Sequence, residues 1–129
     1  MRNLIPIFVV GVGGCAGSVL RYLVSLLAQR YSISFPHGTL WVNLLGCLAI
    51  GAIATLAAAT DAISPNTRLL LATGFCGGFT TMSSFIYELT GFLRENEYSY
   101  AAGYFGLTFF GCMAMFYAGS VLVKLLLKG

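Results

Sequence analysis

Four long apolar segments, separated by short polar stretches, run along the chain. The segments cover residues 4–27, 39–59, 69–93 and 100–127, and a helix needs roughly 20 apolar residues to cross a bilayer. Proline and charged residues between them mark returns to water, and Ser64-Pro65 is typical of a helix start. The pattern predicts an all-α membrane protein with four transmembrane helices, forming one four-span domain over residues 1–129.

The composition agrees with this prediction. Hydrophobic residues make up 58% of the chain and charged residues 9%, whereas about a quarter of the residues in a globular protein are charged. The mean hydropathy is +0.87. Glycines and Arg21 interrupt the first apolar segment, which is unlike the clean apolar centre of a cleaved signal peptide. We therefore expect the first span to be retained in a multi-pass membrane protein.

The third apolar segment contains the stretch GFCGGFTTMSSF, residues 74–85, which has the composition of a loop. Backbone at bilayer depth must find hydrogen-bond partners, so a break there requires burial in protein or a water-lined cavity. We expect two half-helices, with the break near Gly77-Gly78 and the second half starting at Thr80 or Thr81. Such breaks expose carbonyl oxygens to cations and N–H groups to anions. A helix kinked for packing, whose Ser and Thr side chains bond to their own backbone, is the alternative.

Polar side chains inside the other spans predict a narrow anion pathway. Thr39 and Asn43 share one face of the second span, and Tyr104 and Thr108 repeat this spacing in the fourth. These groups and Arg21 are hydrogen-bond donors, and a buried amide in lipid is costly unless it meets a partner or water. Donors along a path favour an anion.

Glu88 is an acidic residue within the third apolar segment. It is either an end charge that reaches the membrane surface or a residue of a vestibule.

Several other motifs carry no chemistry of their own. GVGGCA, residues 11–16, matches a dinucleotide-binding fingerprint but lacks the following acidic residue and the strand–helix pattern. Gly13 and Gly17 instead form a G-x-x-x-G pair that lets helices approach closely. The four cysteines have neither zinc-site nor disulfide-framework spacing. With no nucleophile–base pair either, we expect neither an enzyme nor a nucleic-acid-binding protein.

Positive charges are distributed almost evenly between the two membrane faces. One face holds four of them and the other three: Arg2, Arg68, Lys124 and Lys128 against Arg21, Arg30 and Arg94. The positive-inside rule needs an excess at one face. The orientation is therefore weakly set, or both orientations are inserted, in which case an antiparallel dimer is the natural oligomer.

Three blocks of sequence resemble the Fluc fluoride channel family, also called CrcB. They are GGCAGSVLRY at residues 13–22, GTLWVNLLGCLAIG at 38–51 and GFCGGFTTMSSF at 74–85. The resemblance implies a dual-topology antiparallel homodimer in the bacterial inner membrane, with two fluoride-selective pores and a structural sodium ion at the dimer centre. It also implies passive export of cytoplasmic fluoride. A small multidrug-type exporter shares four spans and dual topology, but it needs an acidic residue in the first span, where this chain has none.

The resemblance also assigns residues to the pore and to the sodium site. Backbone carbonyls of Gly77 and Thr80 match the sodium ligands. Met82 stands where the family pattern T-T-F-S-T-F has its first phenylalanine, so one ring edge that would meet fluoride is replaced by a thioether. We expect fluoride to pass at a reduced rate and chloride to be rejected. The residues expected in the fluoride pore are Arg21, Thr39, Asn43, Met82, Ser84, Phe85, Tyr104 and Thr108.

Overall fold

The structure, a computed structural model, describes residues 3–129, so Arg2 lies outside the described residues. Within them the protein is all-helical. Its elements are α1 (Ile5–Gln29), α2 (His37–Ala59), α3 (Pro65–Arg68), a π-helical segment (Leu69–Cys76), α4 (Gly77–Phe79), α5 (Met82–Arg94) and α6 (Tyr98–Lys128).

Four helical stretches of the described chain are long and apolar enough to cross a membrane: Ile5–Gln29, His37–Ala59, Pro65–Arg94 and Tyr98–Lys128. They confirm the four predicted spans. The third comprises α3, the π-helical segment, α4 and α5. It starts at Pro65, four residues before the predicted apolar segment but at the helix start that Ser64-Pro65 indicated, because Ser64 accepts a hydrogen bond from the Thr67 N–H at 3.2 Å and Pro65 occupies the first helical turn.

Helix α1 packs closely along the first half of the third span because both carry glycines at the contact. A Cβ atom on Gly13 would collide with the Leu70 carbonyl oxygen, and one on Gly17 with the carbonyl oxygen of Phe75. Further along, Gly78 lies against the backbone of Gly14. The expected role of the Gly13 and Gly17 pair is therefore confirmed, and the two helices meet backbone to backbone.

We predict that Gly17→Ala destabilises the protein by about 1–3 kcal/mol, since the added methyl group must displace the Phe75 backbone. Gly11→Ala is the matched control, because Gly11 lies in the same helix and a methyl group added there would have no neighbouring atom within 4 Å. Thermal unfolding of both variants in detergent measures the difference. Equal melting temperatures would contradict a close backbone contact at Gly17.

Helices α2 and α6 run parallel and pair at every fourth residue. The hydroxyls of Thr55 and Ser120, which are 65 residues apart in the chain, lie 2.6 Å from each other. One turn earlier and at the same spacing, Gly51 contacts Phe116 so closely that a Cβ atom would collide with the Phe116 carbonyl oxygen. This register brings the polar faces of the second and fourth spans together, as their shared four-residue spacing requires.

The buried core of this single chain is small and lies between α2, α5 and α6. Leu40, Phe85 and Tyr104 form its centre. Most other large apolar side chains are exposed, as expected for a surface that faces lipid or a second subunit. The core therefore holds α5, which follows the break, against the paired helices α2 and α6.

Candidate ion-conducting site

The third span breaks at two extended residues, Thr80 (φ −85°, ψ 157°) and Thr81 (φ −152°, ψ 115°). The predicted break is thus confirmed, but it lies beyond Gly77-Gly78, whose residues are still helical. The two threonines favour this extended backbone because their side chains branch at Cβ. The nearby glycine Gly78 instead permits the contact with Gly14.

The side chain of Asn43 satisfies the backbone of the break. Its Oδ1 accepts the Thr81 N–H at 2.8 Å, and its Nδ2 donates to the Thr81 carbonyl oxygen at 3.1 Å. Because the backbone N–H must donate and the carbonyl must accept, this pair of bonds fixes the orientation of the amide. One N–H of Nδ2 remains for a further acceptor. Asn43 is 8% exposed, so it works as a structural clamp as well as a donor.

Thr81 also caps the second half-helix. Its Oγ1 accepts the Ser84 N–H at 3.2 Å and lies 3.2 Å from the Ser84 Oγ. The positive end of the α5 dipole therefore points toward the break. Ser84, expected in the pore, is placed in this cap and is not among the side chains that line the groove beside the break.

The first half of the span ends in carbonyl groups. The Cys76 carbonyl accepts from the Thr80 N–H and hydroxyl at 3.0 and 2.9 Å, and the Gly78 carbonyl accepts from Arg21 Nε at 2.9 Å. Arg21, expected in the fluoride pore, thus caps a half-helix in this structure. Within residues 3–129, the carbonyls of Gly77 and Thr80 receive no such bond. Free carbonyl oxygens at an unwound helix end are ligands of the kind that hold sodium.

Glu88 connects three spans. Its Oε1 accepts from the Thr39 hydroxyl at 2.7 Å, and its Oε2 accepts from the Tyr104 hydroxyl at 2.6 Å. Tyr104 is fully buried, and both Thr39 and Glu88 line a cleft of about 700 Å³. Of the two expectations for Glu88, the vestibule is therefore favoured over an end charge at the membrane surface.

A groove of about 650 Å³ runs beside the break, between α2, α5 and α6. Five residues of the predicted site line it: Asn43, Thr80, Met82, Phe85 and Thr108. Most of its other lining side chains are apolar. The predicted residues Arg21, Thr39, Gly77, Ser84 and Tyr104 lie outside this groove.

Thr108 is a groove residue whose hydroxyl lacks a hydrogen-bond partner among the described residues. It is 7% exposed. A threonine in a helix commonly bonds to the backbone one turn earlier, and a buried hydroxyl without a partner is costly. Thr108 is therefore a donor in position to meet a ligand.

Sequence reasoning missed two features of this site. It did not pair Glu88 with Thr39 and Tyr104, because these residues are joined by contacts over a long sequence separation. It also assigned the break to the glycines, although the preference of Thr80-Thr81 for extended backbone was visible in the sequence.

Together, four spans, a broken third helix and a donor-bearing groove define a multi-pass membrane protein of the channel and transporter class. The model of the CrcB-like protein family, described as Camphor Resistance (CrcB), matches residues 8–120. The chain belongs to this family.

Relatives carry a more specific name. The chain is 48% identical over 125 residues to the "Fluoride-specific ion channel FluC" of Chlorobaculum tepidum, covering 97% of each chain. It is 52% identical over 111 residues to the protein of that name from Chlorobium chlorochromatii, covering 85% of this chain and 86% of the relative. The corresponding protein of Chlorobium phaeobacteroides strain BS1 is 45% identical over 119 residues, covering 92% of this chain and 93% of the relative.

Proposed function

We propose that this protein is a passive, fluoride-selective channel of the bacterial inner membrane that releases fluoride from the cytoplasm. The observation that carries the proposal is the unpartnered hydroxyl of Thr108, buried in the groove beside the break. The name shared by the relatives supports the same ion. The multidrug-exporter alternative is not favoured by these names or by the first span, which has no acidic residue.

Fluoride is small and strongly hydrated, so its lost water must be replaced by donors along the path. The groove offers the Thr108 hydroxyl, the second N–H of the Asn43 amide and the positive end of α5. Farther along, Thr39 and Tyr104 already donate to the anionic oxygens of Glu88. Fluoride is an acceptor of the same kind and would use these hydroxyls in turn.

Anion efflux from liposomes that contain the purified protein tests this function. We expect fluoride to leave without an imposed proton gradient and chloride to be retained. Liposomes without protein are the control. Equal efflux of both anions, or fluoride efflux that requires a proton gradient, would contradict a passive selective channel. The channel name of the relatives points away from an enzymatic role.

We further propose that the working unit is an antiparallel dual-topology homodimer with two pores. The nearly even distribution of positive charges in the sequence and the large exposed apolar surface of the single chain support it. Labelling a C-terminal tag from each side of the membrane tests the topology. A single orientation in nearly all molecules would contradict the proposal.

Sodium is proposed as a structural ion of the dimer centre, held by the carbonyls of Gly77 and Thr80. If so, replacing sodium with a bulky organic cation should lower dimer stability, because an ion that binds the native state stabilises it by mass action. The dimer fraction in detergent and fluoride flux are the measurements. Thr80→Ser should change both little, since the backbone supplies the ligand. Dimer stability that is unchanged without sodium would contradict a structural role for the ion.

Met82 is proposed as the weakened position of the pore. It is 70% exposed in this chain and lines the groove with Phe85, one turn away on α5. Met82→Phe should raise fluoride flux several-fold, because a ring edge is electropositive and a thioether is not. Ile86→Phe, which adds a ring elsewhere in the same groove, is the control. If Met82→Phe leaves the rate unaltered while Phe85→Ile abolishes it, position 82 does not meet fluoride.

A further inference from the structure

Two cysteines face each other across the groove. Cys47 of α2 and Cys112 of α6 both line it, and their thiols lie near each other. They occupy equivalent places on the paired helices, one turn beyond Asn43 and Thr108 and at the same chain spacing as Thr55 and Ser120. The other two cysteines are placed differently: Cys15 is exposed on α1, and Cys76 is buried behind the break.

The surroundings restrict which ions this thiol pair would accept. Among residues 3–129, no group of three or more His, Cys, Asp or Glu side chains is arranged to hold a metal ion. Zinc, which takes four protein ligands in structural sites, is therefore unsuited. A soft ion that prefers linear coordination by two sulfur ligands needs only these two cysteines.

Charge then selects among the soft ions. The groove is walled mainly by apolar side chains, where an uncompensated charge is costly. A monovalent ion between two thiolates leaves a net negative charge, whereas a divalent ion leaves a neutral complex. Each thiol gives its proton to water, two sulfur–metal bonds form, and the ligands that the ion carried are released.

We propose that Cys47 and Cys112 form a binding site for one soft divalent cation of linear, two-coordinate preference, for which the mercuric ion is the probe, and that its binding blocks the groove. The bound ion joins α2 to α6 one turn from the unpartnered Thr108 hydroxyl, so it narrows the path that fluoride would take. The site itself does not depend on the proposed function, although its effect on flux does.

Binding is tested first without any flux measurement. Mercuric chloride is titrated into the full-length protein in detergent, and ultraviolet sulfur-to-mercury charge-transfer absorption is followed. A Cys15→Ser, Cys76→Ser variant retains just the proposed pair and should saturate at one mercuric ion per chain. Further replacement of Cys47 or of Cys112 by serine should weaken binding about tenfold or more. Equal mercuric-ion affinity with and without the two cysteines would contradict the proposed site, whether or not the protein conducts fluoride.

Fluoride efflux from liposomes then tests the block. Mercuric chloride should stop efflux through the Cys15→Ser, Cys76→Ser variant, and a dithiol chelator should restore it. With Cys47→Ser or Cys112→Ser added, the inhibitory concentration should rise about tenfold or more, with each variant compared with its own uninhibited rate. Methylmercury bonds to a single thiol, so its inhibition of efflux should not require both cysteines. Full mercuric block after loss of either cysteine of the pair would overturn the proposal that the paired site closes the groove.

Discussion

Replacing Asn43 with leucine is expected to remove nearly all fluoride flux and to destabilise the protein. The leucine side chain has a similar size but makes neither of the hydrogen bonds that Asn43 forms with Thr81 at 2.8 and 3.1 Å. The Thr81 N–H and carbonyl would be left unsatisfied in the membrane interior. At about 1–3 kcal/mol for each buried group, the loss is about 2–6 kcal/mol.

Two further variants make this experiment specific. Asn66→Leu is the control, because Asn66 is exposed at the start of the third span. Asn43→Asp retains an acceptor for the Thr81 N–H but has no donor for its carbonyl, so its stability should lie between those of the wild type and Asn43→Leu. Thermal unfolding in detergent and fluoride efflux from liposomes are measured together. A leucine variant with normal stability and normal flux would show that the clamp on Thr81 is not needed.

Thr108→Val is expected to separate these two effects, with a large loss of flux and no loss of stability. Valine has nearly the same shape as threonine, and the hydroxyl that it lacks has no partner within the described chain. Removing a buried, unpaired hydroxyl is neutral or stabilising for the fold. If that hydroxyl helps to replace the water of fluoride, flux should fall about tenfold or more, for a lost donor worth about 1.4 kcal/mol or more.

Thr55→Val is the matched control for this prediction. It lies on the same pair of helices, but its hydroxyl is bonded to Ser120 at 2.6 Å. Thr55→Val should therefore lower the melting temperature while changing fluoride flux less than Thr108→Val does. Should Thr108→Val unfold at a lower temperature and conduct normally, the Thr108 hydroxyl would be a structural group, and the observation that supports the fluoride path would be lost.

The membrane architecture was predictable from the sequence because hydrocarbon imposes its requirements locally. Apolar length determines each span, and the loop-like composition of the third predicts a break, although the structure places it at Thr80-Thr81, just beyond the predicted glycines. The use of each polar group was not predictable in the same way. Arg21 was expected to face an anion, and in this structure its Nε donates to the Gly78 carbonyl, an acceptor that the sequence did not indicate.

The same limit applies to the donors of the candidate pore. Asn43, Thr39 and Tyr104 were identified as buried donors from spacing within single helices. Their acceptors, the Thr81 carbonyl and the Glu88 carboxylate, come from another span. Spacing within a helix shows which residues share a face, but it does not show which distant group that face will meet.

The regular pairing of α2 with α6 also determines how these helices assemble after insertion. Five levels, each one helical turn from the next, set residues of α2 beside residues of α6: Thr39 with Tyr104, Asn43 with Thr108, Cys47 with Cys112, Gly51 with Phe116, and Thr55 with Ser120. Sliding α6 by one turn, about 6 Å, would set Phe116 against Cys47 and Lys124 against Thr55. A single alignment therefore satisfies all five levels, so the contact with α2 determines the position of the last span more narrowly than apolar length alone would.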